Sequence, residues 1–214
     1  MGDFNGSFNE ISELLQKGKA KDIVPAVEKA LNDGAAPADI LEKGLISGMN
    51  VIGGKFKNGE VFVPEVLIAA RAMNHATTVL KPALVKAGVQ PVGKAIICTV
   101  KGDLHDIGKN LVRMMIEGKG VEVIDLGVDC TGEKIVETVR DSDAKVVCLS
   151  ALLTTTMLSQ KEVIDALKAA GLRNKVKVMV GGAPVTQSFA DEIGADAYTP
   201  DAATAAEVCR AFYS

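Results

Sequence analysis

Ala95-Ile96-Ile97-Cys98-Thr99-Val100-Lys101-Gly102-Asp103-Leu104-His105-Asp106 is the stretch that decides the fold. Through Val100 it is an unbroken apolar and β-branched run, the composition of a strand covered on both faces. From Lys101 onward it turns polar and carries a glycine, the composition of a loop. Runs of the same kind follow at Val121–Leu126, Val146–Ser150 and Val176–Val180, with a weaker one at Ala197–Thr199. The segments between them have helical periodicity, starting near Asp106, Gly132, Met157 and Val185, and a last one follows Pro200. Strands alternating with helices specify a doubly wound, Rossmann-like (flavodoxin-like) parallel sheet. For such a sheet of five strands the common order is 2-1-3-4-5.

That order has a functional consequence. Ligands of open α/β sheets bind outside the carboxyl ends of the strands, at the switch point between the first and third. Those ends are Val100 to Asp106 and Ser150 to Thr156, both rich in polar side chains directly after an apolar strand. In the first of them Asp103 precedes His105 by two positions, and Gly108 leaves the start of the next helix open to something bulky. Histidine is the commonest metal ligand, and a carboxylate often holds its second ring nitrogen. A zinc site would need more protein ligands, and the only other histidine is His75, in the other half of the chain. A metal at His105 would therefore arrive with most of its ligands already supplied. A helix-capping aspartate beside an ordinary polar histidine is the competing reading of the same spacing.

Upstream of residue 90 the pattern is helical. Ser7 is a candidate cap for a helix carrying Phe8, Ile11, Leu14 and Leu15 and ending at Gly18. A second carries Ile23, Val27, Ala30 and Leu31 and stops at Gly34. Pro37 suits the first turn of a third, with Ile40, Leu41, Leu45, Met49 and Ile52 on one stripe. Pro64 opens a fourth through Leu67, Ala70, Met73 and Val79, ending near Gly88. Their short connections predict a helical bundle over residues 1–88, followed by an α/β domain over 89–214. The turn-rich stretch Gly88-Val89-Gln90-Pro91-Val92-Gly93 reads as the linker.

Composition narrows the function classes. Lys plus Arg number 24 against 27 Asp plus Glu, a net charge of -3 that excludes the basic field of a general nucleic-acid binder. Aromatics are 4% with no Trp, so the core must be aliphatic. No apolar run is long enough to span a bilayer, and Met1-Gly2-Asp3-Phe4 lacks the basic and apolar regions of a signal peptide. Cys98, Cys130, Cys148 and Cys209 form no CxxC pair, and Cys98 and Cys148 sit inside apolar runs as small hydrophobes. A cytoplasmic protein with no membrane and no nucleic-acid partner is expected.

Gly102-Asp103-Leu104-His105-Asp106-Ile107-Gly108-Lys109-Asn110 resembles the DxHxxG signature of cobalamin-binding domains. Ser150-Ala151-Leu152 resembles the SxL element of that family and Gly181-Gly182 its glycine pair. The helical half is similar too, in Gly48-Met49-Asn50-Val51-Ile52-Gly53 and in Phe56 through Pro64. The likeness spans nearly the whole chain. It is nearest to the small two-domain corrinoid proteins of methyltransferase systems for methylamines or methanol, and to the matching module of cobalamin-dependent methionine synthase.

This resemblance implies a cobalamin or related corrinoid held base-off and His-on, with His105 as the ligand below cobalt and methylcobalamin as the loaded state. It implies that Asp103 hydrogen-bonds the other ring nitrogen and that Thr156 completes the relay, where relatives can carry Ser. Ser150 and Thr154 would contact the displaced nucleotide tail, and Leu152 of the SxL element belongs to the cofactor site. Gly102, Gly181, Gly182 and Ala183 would line its slot, and Leu104, Asp106 and Gly108 complete the motif's share of the cofactor site. Phe56, Val63 and Val66 of the helical cap would lie over the upper face of the corrin, with Glu42 facing that region. The implied partners are a substrate-specific methyltransferase, a second methyltransferase acting on coenzyme M or tetrahydrofolate, and a reductive activation protein. After Leu126-Gly127-Val128, relatives often continue with Val-Pro, whereas this chain has Asp129-Cys130-Thr131. A carbon-skeleton mutase subunit would lack the helical half. A cobalamin-dependent sensor would need a DNA-binding segment before the first helix, where only a short stretch precedes Phe8.

Overall fold

A computed structural model describes residues 4–214. The start Met1-Gly2-Asp3, read above for a leader, lies outside the described residues. The chain divides into two compact units, one running through Pro91 and including Gly118–Gly120, the other comprising Val92–Glu117 and Val121–Ser214.

The first unit is helical. It consists of α1 (Asn5–Gln16), α2 (Ala20–Asn32), α3 (Pro37–Asp39), a π-helical segment (Ile40–Ile46), α4 (Ser47–Lys57) and α5 (Val63–Lys86). The apolar stripes face inward: Phe8, Ile11 and Leu15 of α1, Ile23 and Val27 of α2, and Ala69, Ala72, Ala76 and Leu80 of α5 are buried. Pro64 lies in the first turn of α5, and Glu65 accepts a hydrogen bond from the Phe62 N–H at 3.0 Å, closing that helix end. The expected cap at Ser7 is a correction. The helix begins earlier, with Phe4 at its N-cap and no side-chain capping bond, so Ser7 sits inside the first turn. The expected third helix contains a π segment, and Leu67, read as part of the buried stripe of α5, is exposed.

The second unit is a five-stranded parallel sheet of order β2-β1-β3-β4-β5, as the switch-point argument requires. The strands are β1 (Lys94–Thr99), β2 (Glu122–Asp125), β3 (Val146–Ser150), β4 (Lys177–Gly181) and β5 (Ala197–Tyr198). The crossovers are α6 (Ile107–Glu117), α7 (Gly132–Asp141), α8 (Met157–Ala169) and α9 (Gln187–Ile193), and α10 (Ala202–Ala211) closes the chain. Three helices start with a side-chain cap: Thr131 accepts from Lys134 N–H, Thr186 from Phe189 N–H and Asp201 from Thr204 N–H.

Register decides which side chains meet. Ile96 pairs with Val147 and Val147 with Val178, an aliphatic row buried beneath α7, α8 and α9. The opposite face carries Ile97, Cys148 and Met179 in a second row, on the side where α6 and α10 pack together. All four cysteines are free and buried. β2 corrects the expectation of strands covered on both faces. It lies at the sheet edge with Glu122 and Asp125 exposed, because in this order only its β1 side is paired. At the carboxyl end, Thr99 pairs with Ser150 and Ser150 with Gly181, so one polar row crosses the three central strands at the switch point.

Candidate functional site

Beyond that row the chain from Val100 turns through Gly102, whose φ of 81° is left-handed, and Asp103 N–H bonds back to Val100 O at 3.1 Å. The turn drives the Asp103 side chain inward until it is 0% exposed. A buried carboxylate is costly unless it is partnered, and this one has four donors. Oδ1 accepts from His105 N–H at 3.0 Å and faces His105 Nδ1 at 2.7 Å. Oδ2 accepts from Leu152 N–H at 2.7 Å and from the Thr156 hydroxyl at 2.8 Å. Burial pushes the Asp103 carboxyl up, but these bonds outweigh it and hold the group well below the usual carboxylate range.

Ionised, Asp103 can only accept. Nδ1 of His105 must therefore donate, which leaves the lone pair of the neutral ring on Nε2. The imidazole is 52% exposed, so it is anchored at one nitrogen and accessible. The Thr156 hydroxyl has one proton but two acceptors, Asp103 Oδ2 at 2.8 Å and Leu153 O at 3.0 Å. Its rotation adds a donor to Asp103 or removes one. The structure thus brings together His105, Asp103 and Thr156 as one hydrogen-bonded chain.

The connections after β3 and β4 lie beside this chain. The hydroxyls of Ser150 and Thr154 make no side-chain hydrogen bond among the described residues. Gly182 has φ 127°, and a Cβ there would sit 1.8 Å from Ala151 O, so the connections after β3 and β4 approach at a place open only to glycine. Gly181 is half-buried beside it and Ala183 is exposed. Leu104 (73% exposed), Ile107 (79%), Leu152 and Leu158 (62%) are large apolar side chains exposed on the connections and helix starts that follow β1 and β3. Asp106 and Gly108 are exposed on the same loop and at the start of α6.

In the helical unit, Glu42 is exposed on the π segment, Phe56 is half-buried on α4, Val63 is half-buried as the first residue of α5, and Val66 is buried. His75 is exposed on α5. Among the described residues no helix is long and apolar enough to cross a membrane. None of them forms a group of three or more His, Cys, Asp or Glu side chains able to hold a metal ion.

Three supporting residues escaped the reading of the sequence. Thr99, fully buried, donates its hydroxyl to His105 O at 2.8 Å and so anchors the histidine's backbone. Asp129 bonds the Gly102 N–H at 2.7 Å. Gln160, fully buried on α8, donates Nε2 to Leu149 O at 3.0 Å and Gly181 O at 3.1 Å, joining the ends of β3 and β4. Two carbonyl acceptors fix the orientation of that amide, so its buried and unpaired Oε1 is the carbonyl oxygen.

Comparison with known proteins shows the family. Residues 93–209 match a family described as the B12 binding domain, and residues 7–81 match a second family of that description. The chain is 42% identical over 205 residues to dimethylamine corrinoid protein 3 of Methanosarcina acetivorans, covering 96% of each chain. Among solved structures it resembles a cobalamin-binding protein from Desulfitobacterium hafniense, with TM-score 0.80 and 34% identity over 96% of this chain and 98% of that one. It also resembles the methanol:cobalamin methyltransferase complex of Methanosarcina barkeri, with TM-score 0.87 and 29% identity over 100% of this chain and 81% of that one.

Proposed function

This chain belongs to the corrinoid proteins built on B12 binding domains, and from that premise we propose that it carries a methyl group from a substrate-specific methyltransferase to a second methyltransferase. A bound corrinoid supplies the cobalt centre that takes up and surrenders the methyl group, and the protein supplies binding, orientation and electrostatics. The observation that carries the reading is the 2.7 Å pair of His105 Nδ1 with the buried Asp103 carboxylate at the switch point, which leaves Nε2 available.

We assign His105 as the ligand below cobalt, in place of the cofactor's own benzimidazole. Asp103 fixes the tautomer and the direction of the ring. Thr156, with its choice of two acceptors, lets the chain of three residues hold or release a proton as His105 is engaged or freed. Gly102, Ser150, Leu152, Thr154, Gly181, Gly182 and Ala183 receive the displaced tail, and Leu104, Asp106 and Gly108 flank the ring. The assignment of Glu42, Phe56, Val63 and Val66 to the upper side of the cofactor rests on the resemblance alone, and the division of roles at residues 88 and 89 rests on the change of pattern at the turn-rich linker. The dimethylamine relative favours a methylated amine as donor, and the methanol complex favours a docked methyltransferase as partner. We extend the reading to a reductive activation protein and a cytoplasmic location.

The test is spectroscopic. Loaded with hydroxocobalamin, His105→Ala should still bind through the tail slot but lose the histidine-ligated ultraviolet-visible spectrum. A variant spectrum identical to that of the parent would overturn the ligand assignment. Retention of isotopically labelled methyl by the reduced holoprotein, given a methylated amine and its methyltransferase, tests the carrier role.

A further inference from the structure

The connection between β2 and α7 contains Asp129, the one non-glycine among the described residues with positive φ, at 52°. That conformation is costly for most L-residues and is tolerated best by Asn and Asp. Residues held this way persist where the surroundings over-determine them, and they cluster at functional sites. Here the surroundings are the histidine-bearing turn. Asp129 N–H donates to Asp103 O at 3.0 Å, and its Oδ1 accepts from Gly102 N–H at 2.7 Å. A single residue therefore grips the Gly102-Asp103 dipeptide at both ends, once with its backbone and once with a charged side chain. Its own place is held by its neighbours. Gly127 O accepts from Thr99 N–H, and Cys130 N–H donates to Thr99 O, each at 3.0 Å.

We propose that Asp129 is a positioning residue for the axial histidine. It holds the backbone of Gly102 and Asp103 so that the Asp103 carboxylate can serve His105, Leu152 and Thr156 at once. Without it the turn keeps its bond to Val100 O but loses its outer anchor. The carboxylate then swings, and the grip on Nδ1 that keeps the lone pair on Nε2 weakens. The proposal rests on the reading of His105 as the ligand, but its geometry can be tested on the chain without cofactor.

Three substitutions separate the contributions. Asp129→Asn keeps a side-chain oxygen and tolerates the left-handed backbone. Asp129→Gly relaxes the backbone but removes the acceptor. Asp129→Ala removes the acceptor and adds strain. Thr131→Ala, which removes only the cap of α7 in the same connection, is the control. Nitrogen-15 NMR of the His105 ring in the cofactor-free chain, at one fixed pH, reads the tautomer. Asp129→Gly and Asp129→Ala should raise the Nε2–H form roughly fivefold, the effect of one ordinary hydrogen bond. Asp129→Asn should restore the parent ratio, and Thr131→Ala should leave it unmoved. If Asp129→Ala does not fold, Asp129→Gly and Asp129→Asn decide the matter. An unchanged ratio in Asp129→Gly, or an equal shift in Thr131→Ala, overturns the proposal. The spectrum of cobalamin-loaded His105→Ala, measured in parallel, reports on the ligand reading alone, so failure of one is not mistaken for failure of the other.

Discussion

Replacing Asp103 with asparagine should cost the second unit about 2–4 kcal/mol, and the figure follows from counting donors. The carboxylate offers two oxygens to four donors, two of which are backbone N–H groups at His105 and Leu152 that cannot turn away. Asparagine has one oxygen and one NH2. If the NH2 replaces Oδ2, Thr156 can rotate its proton to Leu153 O at 3.0 Å and accept instead, but Leu152 N–H is left facing a donor. If the NH2 replaces Oδ1, the ring can switch tautomer and accept at Nδ1, but His105 N–H is left unpaired. Either way one backbone donor is stranded, at about 1–3 kcal/mol, and the surviving bonds drop from charged to neutral strength. The second orientation also moves the ring proton to Nε2 and removes its lone pair, so under the proposed ligation of cobalt by His105 stability and ligation should fall together. Urea unfolding of the cofactor-free chain by circular dichroism measures the first, and the spectrum of the cobalamin-loaded variant measures the second. Thr156→Val combined with Asp103→Asn should cost less than the sum of the two, because they share a bond. A loss below about 1 kcal/mol in Asp103→Asn would refute the donor count.

Two further outcomes follow from the same unit. Gly182→Ala places a methyl 1.8 Å from Ala151 O at φ 127°, so a loss of at least about 2 kcal/mol is expected; a melting temperature equal to the parent's would show that the two connections can part freely. Asp196 is pushed up by burial, but Val178 N–H, Lys177 and Arg173 at 2.8, 3.1 and 2.7 Å outweigh that and hold its carboxyl below the usual range. A carboxyl depressed in the folded state stabilises fully above its unfolded value and loses that contribution as pH falls through the folded one. The stability gap between parent and Asp196→Asn should therefore be widest near neutrality and close below about pH 4. A gap independent of pH, measured by urea unfolding, would contradict this.

The sheet was legible because its four long strands announce themselves as apolar runs, and the order of a doubly wound sheet then leaves little choice. β3 spans Val146–Ser150 as read, while β2 contracts to Glu122–Asp125, since an apolar run does not say which strand lies at an edge. The π segment was missed although its spacing was visible. Ile40 and Leu45, five positions apart and both fully buried, fit a face with π periodicity better than a 3.6-residue stripe. The cap at Ser7 failed for another reason: capping preference describes a helix that begins there, and the apolar pattern did not reveal that this one starts at Asn5.

The site divides along the same line between local and long-range information. Asp103 and His105 lie two residues apart on one loop, so their pairing could be read from the residues alone. Thr156 came only through the resemblance, because the link from residue 156 to residue 103 is made by the register of β1 and β3 and by nothing nearby in sequence. Thr99 and Gln160 left traces that periodicity could have caught. Thr99 is a polar residue inside the apolar run of β1. Gln160 heads the buried stripe it shares with Val163, Ile164 and Leu167 of α8, where an amide must find backbone partners. Asp129 left no such trace of its role, since an exposed aspartate in the connection after Gly127-Val128 reads as an ordinary turn residue. Only the left-handed backbone and the two bonds to Gly102 and Asp103 distinguish it. Residues paired by short spacing can thus be found from the sequence, whereas residues that hold them from a distance act through main-chain groups whose meeting the folded register alone determines.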